Sequence, residues 1–136
     1  MEKLFALRES SPLRFGAALG YTLFVIIILI QPNRQPVIDL HIARETPSLL
    51  DQVWFGVGHT LLFAAMALIW FWSFYQRLPL YPAAVMAASV ALLVGMGTEI
   101  GQFIVSSRDP SLWDLGADAF GILLTMVVVY LLLHRR

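Results

Sequence analysis

The stretch Gly95–Gly121, GMGTEIGQFIVSSRDPSLWDLGADAFG, gathers polar side chains in a chain that is otherwise largely apolar. Long hydrophobic runs flank the stretch on both sides. If those runs cross a membrane, several of the polar groups lie inside it, where they are costly and are commonly functional. The polar side chains are Glu99, Gln102, Arg108, Asp109, Asp114 and Asp118.

The composition around this stretch is that of an integral membrane protein. Of 136 residues, 59% are hydrophobic and only 13% are charged, against about 25% charged in a soluble domain. Mean hydropathy is +0.76. At this length we expect a single domain over residues 1–136.

Charge and cysteine content limit the partners and the chemistry. The formal net charge is zero and the basic residues are spread through the loops, so no nucleic-acid partner is expected. The chain has no cysteine, which excludes disulfides, thiolate nucleophiles and Cys-ligated metals. A His-Glu-Asp-Asp set can ligate a divalent metal in principle, but no HExxH spacing occurs. We therefore predict no metal and no cofactor.

The hydrophobic runs predict an all-α, polytopic membrane protein. We place four transmembrane helices at about 13–31, 53–75, 80–105 and 112–133. The first run is followed by QPNRQP, which offers no small-x-small cleavage site, so we interpret it as a span rather than a signal peptide. Between spans one and two, Val37–Ala43 alternates as a short strand or interfacial turn would, and His41 is expected to be a solvated loop residue.

Small residues suggest which helices approach closely. The third span has alanines in its first half and Gly95, Gly97 and Gly101 in its second, which favours a central position in the bundle. Gly16 and Gly20 form a GxxxG pattern in the first span. That pattern is either a contact face for another helix or a chance spacing.

The distribution of Lys and Arg predicts the orientation. With the N-terminus inside, 6 of the 9 basic residues lie on the inner side and 3 on the outer side. Positive residues are enriched on the cytoplasmic side of membrane proteins. We therefore predict that both termini are cytoplasmic and that the loops 31–52 and 106–111 face outward.

This topology brings three ionisable groups to one depth. His59, Glu99 and Asp118 each lie 6 residues from the outer end of their spans, which is roughly 9 Å of helical rise. We expect Glu99 to pair with His59, and Asp114 or Asp118 to pair with Arg108. Two interpretations remain open: polar side chains that only hold helices together, or a polar cavity open to the outer leaflet.

At these positions the sequence resembles the VanZ-like family of small bacterial membrane proteins. The resemblance covers about residues 55–130. Its pieces, in order, are His59-x-x-x-Phe63, Glu99-x-x-Gln102, Arg108, Asp114 and Gly121.

The sequence departs from that family at two points. The family usually has asparagine where this chain has Asp118, and an aspartate-lysine pair often precedes its histidine by a few residues. Here Asp51 lies 8 residues before His59 and is followed by Gln52. A role for Asp51 is therefore not carried over.

The resemblance implies a protein of the bacterial cytoplasmic (inner) membrane with a polar site built from these residues. The family is named for a protein linked to low-level resistance to teicoplanin, a drug that acts on cell-wall precursors, so a cell-envelope or lipid role follows by association. Antibiotic resistance itself is not transferred to this chain on fold analogy.

Three classes of function are compatible with the sequence. The first is a binding protein whose outer-leaflet site holds a lipid head group, a lipid-linked wall precursor or a glycopeptide-like ligand. Membrane lipids are then its partners, and the predicted ligand-binding residues are His59, Glu99, Gln102, Arg108, Asp114 and Asp118. The second is a membrane-embedded enzyme acting on a lipid-linked substrate through His59, Glu99 and Asp118. The third is a helper or transporter subunit, including a homo-oligomer formed through Gly16/Gly20 or Gly97/Gly101.

Overall fold

A computed structural model describes residues 11–30, 49–105 and 111–134, and within them all regular structure is helical. The four helices are α1 (Ser11–Ile30), α2 (Leu49–Phe74), α3 (Leu80–Val105) and α4 (Leu112–His134). Each is long and apolar enough to cross a membrane. The prediction of four apolar helices is thus confirmed. The interpretation of Val37–Ala43 and the predictions for His41 and Arg108 fall outside the described residues.

The helix bounds differ from the predicted spans mainly at the start of α2. The predicted span begins at residue 53, whereas α2 begins at Leu49. The prediction counted only the apolar core and so left out the polar pair Asp51-Gln52. A helix satisfies its own backbone hydrogen bonds, so it can continue beyond the apolar segment into polar surroundings.

The helices run alternately up and down, which gives the bundle two chemically different ends. At the polar end α1 and α3 finish and α2 and α4 begin; there Gln102 Nε2 donates to the Leu29 carbonyl over 2.9 Å. At the basic end α1 and α3 begin and α2 and α4 finish; there Ser73 Oγ donates to the Arg14 carbonyl over 3.1 Å. These two bonds fix α1 against its neighbours at both ends.

A tight turn joins α2 to α3, as the short connection predicted. The N–H of Arg77 and that of Leu78 both donate to the Phe74 carbonyl, over 2.9 and 3.0 Å. The N–H of Ala83 donates to the Pro79 carbonyl over 3.0 Å as α3 begins. The C-terminal carbonyls of α2 are thereby partly satisfied by the turn itself, and the two helices form an antiparallel hairpin.

The core lies around α2, which packs against all three other helices. Phe63, Met66 and Ala67 of α2 have no accessible surface. From α3, Ala83, Ala87 and Ala91 are equally buried, and their spacing of four residues places them on one helix face. The third span was predicted to be central; α3 does contact the other three helices, but α2 is the more buried of the two.

The helices α2 and α4 pack closely against each other. A Cβ atom added to Gly121 would overlap the carbonyl oxygen of Thr60 and lie 3.0 Å from its carbonyl carbon. Two side-chain hydrogen bonds cross the same seam: Thr60 Oγ1 to the Ala117 carbonyl and Thr125 Oγ1 to the Ala64 carbonyl, both 3.2 Å. Small residues and hydroxyl bonds are the usual means of tight packing between membrane helices.

The glycine pairs predicted as contact faces between copies differ in position. Gly16 and Gly20 lie exposed on α1 with no atom within 4 Å of an added Cβ, and Gly97 is equally open. Gly101 instead faces Ile30 of α1, whose Cδ1 would lie 2.6 Å from an added Cβ. Gly97 and Gly101 therefore do not form one open face, because Gly101 contacts α1 of its own chain.

Candidate functional site

The packing of α2 against α4 brings His59 and Asp118 together at the centre of the candidate site. His59 Nδ1 lies 2.8 Å from Asp118 Oδ1, and the two side chains are 5% and 0% exposed. The prediction that His59 pairs with Glu99 is therefore wrong. The reason is the close packing of α2 on α4. Gly121 lets the two backbones approach, and this places Asp118 of α4 within hydrogen-bond distance of the His59 imidazole.

Asp118 fills a space that α3 leaves for it. Its second oxygen, Oδ2, would lie 3.1 Å from a Cβ added to Gly95, and Phe63 Cε1 would lie 3.3 Å from the same point. Phe63 also stacks on His59, with ring centroids 6.4 Å apart and planes inclined by 12°. Gly95 and Phe63 thus form the apolar wall that holds the pair in position.

Glu99 takes part in the N-terminal cap of α4. Ser111 precedes the helix, and its Oγ accepts a hydrogen bond from the Asp114 N–H over 3.2 Å, as an N-cap residue does. The N–H of Ser111 in turn donates to Glu99 Oε2 over 2.8 Å. In a capping box a glutamate of the same helix would make this second bond; here a glutamate of α3 makes it, which ties α3 to the start of α4.

These groups form a polar column that runs inward from the polar end. We define the polar column as Glu99, Ser111, Asp114, Asp118 and His59. Gly95 precedes Glu99 by one turn on α3, and Asp114 precedes Asp118 by one turn on α4. Glu99 and Asp114 therefore lie about 6 Å nearer the polar end than Gly95 and Asp118 do. The predicted common depth holds for the bonded pair, but the carboxylate of Glu99 lies nearer the end of the bundle, because it reaches Ser111.

Gln102 bonds a different helix from the one that Glu99 reaches. Gln102 shares a face of α3 with Glu99, as predicted, yet its Nε2 bonds the carbonyl of Leu29 in α1. It therefore fastens α1 to α3. Arg108 lies outside the described residues, so its pairing with Asp114 or Asp118 stays a prediction.

The ionisable side chains of the polar column are buried, whereas one interpretation of the sequence predicted a polar cavity open to the outer leaflet. His59, Glu99, Asp114 and Asp118 are 0 to 7% exposed. Each lies between helices rather than on the outer surface of the bundle.

The hydrogen-bonding capacity of the column is incompletely used. Among the described residues, Glu99 Oε1 and Asp118 Oδ2 are buried oxygens without a hydrogen-bond partner. A buried acceptor that lacks a donor costs about 1 to 3 kcal/mol, and more when it is charged. Since both oxygens belong to carboxyl groups, the column presents acceptors to an incoming donor.

The His, Asp and Glu side chains in the part of the chain that the structure describes do not form a metal centre. Within residues 11–30, 49–105 and 111–134, no three His, Asp or Glu side chains lie close enough to hold one ion. An acid-base reaction at His59 would use Nε2, because Nδ1 is bonded to Asp118 Oδ1.

Sequence reasoning missed two residues of the site and misassigned a third. Ser111 was placed in a loop, although Ser111-x-x-Asp114 before an apolar run is an N-cap pattern that could have identified it. Gly95 was seen as a packing residue, and its role as the space for Asp118 Oδ2 has no signal in a single sequence. Gly121 was quoted only as part of a motif, whereas it sets the distance between α2 and α4.

No family model, no curated protein and no solved structure matches this chain. Its function is therefore inferred from the geometry of the site and the chemistry of the residues there.

Proposed function

We propose that this chain is a multi-pass protein of the bacterial cytoplasmic membrane whose polar column binds the head group of a membrane lipid, a lipid-linked wall precursor or a glycopeptide-like ligand from the outer side. The observation that carries the proposal is the pair of buried carboxylate oxygens, Glu99 Oε1 and Asp118 Oδ2, that lack a donor among the described residues. Ionisable groups within membrane helices are costly, and they often mark functional sites.

The chemistry of the polar column limits the kinds of head group that can bind there. Carboxylate oxygens accept hydrogen bonds, so the ligand must supply donors such as sugar hydroxyls, amides or an ammonium group. Arg108 follows α3 in the sequence and would meet a phosphate or carboxylate of the same ligand. The order Glu99, Ser111, Asp114, Asp118 then lets a head group enter at the polar end while its acyl chains stay in the lipid.

The similarity of the motif residues to the VanZ-like family supports an envelope ligand. His59, Glu99 and Asp114, which carry that resemblance, are three of the five residues in the polar column. We infer a VanZ-like protein on this ground, without transferring antibiotic resistance to it.

The proposed orientation places the polar end outside and both termini inside. The absence of cysteine allows a direct test, because single cysteines can be introduced into the natural sequence. In intact cells, a membrane-impermeant maleimide should label Leu49→Cys at the polar end and should not label Tyr81→Cys at the basic end. The reverse labelling pattern would contradict the orientation.

Head-group binding is tested by the lipids that the protein retains. The wild type, Glu99→Gln and Asp118→Asn are purified from bacterial membranes in mild detergent, and the bound lipids are identified by mass spectrometry. Each substitution replaces the carboxylate with an amide, so that an NH2 group, which cannot accept a hydrogen bond, takes the place of the unpaired oxygen. One hydrogen bond to a charged group contributes about 1.5 to 3 kcal/mol. We therefore expect retention of hydroxyl- or amine-bearing lipid to fall about tenfold or more.

Met96→Leu serves as the matched control, since Met96 lies exposed on α3 between Gly95 and Glu99 in sequence and belongs to no polar contact of the site. It should retain the same lipids as the wild type. Equal retention by all four proteins would sink the proposal.

A second candidate function, a membrane-embedded enzyme, is favoured by one observation: the 2.8 Å bond between His59 Nδ1 and Asp118 Oδ1. An aspartate that holds Nδ1 orients an imidazole for acid-base chemistry through Nε2. The orienting partner is then Asp118 rather than Glu99. Turnover separates the two functions: an enzyme predicts that the wild type converts the retained lipid and that His59→Gln does not, whereas a binding protein predicts conversion by neither.

A further inference from the structure

The polar column contains more acid than base. Three of its five residues carry carboxyl groups and one carries an imidazole. Within the described ranges the Lys and Arg positions are Arg14 and Arg77, and both lie at the basic end of the bundle. No lysine or arginine of the described ranges therefore lies beside these carboxyl groups.

Two of the carboxyl groups use one oxygen each within the described structure. Glu99 Oε2 accepts a hydrogen bond from the Ser111 N–H over 2.8 Å, and Asp118 Oδ1 lies 2.8 Å from His59 Nδ1. The second oxygens, Glu99 Oε1 and Asp118 Oδ2, are buried without a hydrogen-bond partner among the described residues. Glu99 is 7% exposed and Asp118 is 0% exposed. The column therefore offers a ligand two acceptors of the same kind.

A ligand that satisfies a buried carboxylate has to supply both a hydrogen bond and a positive charge. Buried charges in proteins are paired, because an isolated ion in an apolar medium is very costly. A hydroxyl or an amide supplies the hydrogen bond alone. A primary ammonium group supplies the charge together with three N–H donors, and charge-assisted hydrogen bonds are about twice as strong as neutral ones. The acceptors of the column therefore favour a primary ammonium group over a neutral donor.

A quaternary ammonium group fits this site poorly. Its nitrogen carries methyl groups and no N–H, so it cannot donate to a carboxylate oxygen. Proteins recognise such cations with the faces of aromatic rings. The Phe63 ring beside Asp118 is stacked on His59, so that face is not open to a methylated cation. The column should therefore distinguish ethanolamine from choline.

Glu99 is placed to meet a head group before Asp118 does. Its carboxylate bonds the partly exposed Ser111 at the start of α4, close to the polar end. Asp118 lies about one helical turn deeper, against Gly95 and Phe63. The amine of an ethanolamine head group is two carbons from its phosphate oxygen. It can therefore reach Glu99 while the acyl chains stay in the lipid.

We propose that the polar column selects the primary ammonium group of an aminophospholipid, with Glu99 Oε1 as the main contact. This inference rests on the proposed function, head-group binding at the polar column, and adds the chemical class of the head group. Asp118 Oδ2 supplies a second acceptor deeper in the same column.

The test measures thermal unfolding of the full chain in a non-ionic detergent while phosphatidylethanolamine, phosphatidylcholine or phosphatidylglycerol is added. Phosphatidylethanolamine should raise the unfolding midpoint of the wild type, because a ligand of the folded state stabilises it. The other two lipids should need about tenfold higher concentrations for the same shift, as for the loss of one charge-assisted bond. Glu99→Gln should remove this preference, and the exposed control Met96→Leu should keep it.

The comparison of lipids on the wild type needs no variant, so the test holds if Glu99→Gln does not fold. Equal stabilisation by the three lipids would overturn selection of the ammonium group and leave head-group binding standing. No stabilisation by any of them would overturn both proposals. Equal stabilisation by phosphoethanolamine, the head group without acyl chains, would assign the site to a water-soluble amine and overturn the lipid.

Discussion

Gly121→Ala is expected to lower the free energy of unfolding by about 2 to 3 kcal/mol, the usual cost of overpacking a tight contact. The added Cβ would overlap the carbonyl oxygen of Thr60. Since that oxygen belongs to the backbone of α2, it cannot rotate away as a side chain would. The helices must separate instead, which lengthens the bonds from Thr60 and Thr125 across the seam. Unfolding in mixed micelles, with increasing denaturing detergent, measures the loss.

Gly116→Ala is the control on the same helix. Gly116 is exposed and has no atom within 4 Å of an added Cβ. Alanine is better than glycine in a helix by about 0.5 to 1 kcal/mol, so this variant should be as stable as the wild type or slightly more stable. If Gly121→Ala unfolds at the same denaturant concentration as Gly116→Ala, the close packing of α2 on α4 is wrong.

Asp118→Ala is expected to cost about 3 kcal/mol, because it removes the carboxylate from a buried hydrogen-bonded pair and leaves His59 Nδ1 without this bond. His59 is 4% exposed and stacks on Phe63, so its imidazole lies away from bulk water. The same mixed-micelle unfolding measures the effect.

Asp118→Asn is the matched variant, since its amide oxygen can still accept a hydrogen bond from His59 Nδ1. Its new N–H2 group would lie beside Gly95, where Asp118 Oδ2 now lies. We expect the fold to survive and the stability loss to be clearly smaller than for alanine. A cycle with His59→Ala should show coupling of about 0.5 to 3 kcal/mol between the two positions; additive losses would contradict the bond.

The helices could be predicted from the sequence because length and hydropathy decide membrane-spanning segments almost alone. Apolar runs of this length have one common solution, a helix with all backbone bonds satisfied internally. Three helix starts or ends coincide with the predicted limits at residues 80, 105 and 112. The start of α2 was misplaced, because a hydropathy limit marks the apolar core and not the last helical turn.

The sequence predicts most residues of the site, but it does not predict which of them bond to each other. Counting turns placed His59 and Asp118 at one depth, and the structure joins them. Which carboxylate meets the histidine depends on the rotation and spacing of the helices, and these follow from contacts such as Gly121 on Thr60. A single sequence does not reveal such contacts, so Glu99 was chosen instead of Asp118.

Gln102 illustrates the same limit. Its position one turn from Glu99 predicted a shared site, and the two do share a face of α3. A long side chain can reach in more than one direction, however, and Gln102 bonds Leu29 in α1 while Glu99 bonds Ser111 before α4. Side-chain direction is set by neighbours that only the folded bundle supplies.

The most direct measurement of the central claim is a structure of the protein in a bilayer of bacterial lipids. Binding at the polar column predicts density for a polar head group that reaches Glu99 Oε1 or Asp118 Oδ2 from the polar end, with its acyl chains in the surrounding lipid. A column that contains no such density, with both oxygens bonded to groups of the chain itself, would contradict head-group binding. The polar column would then only hold the helices together.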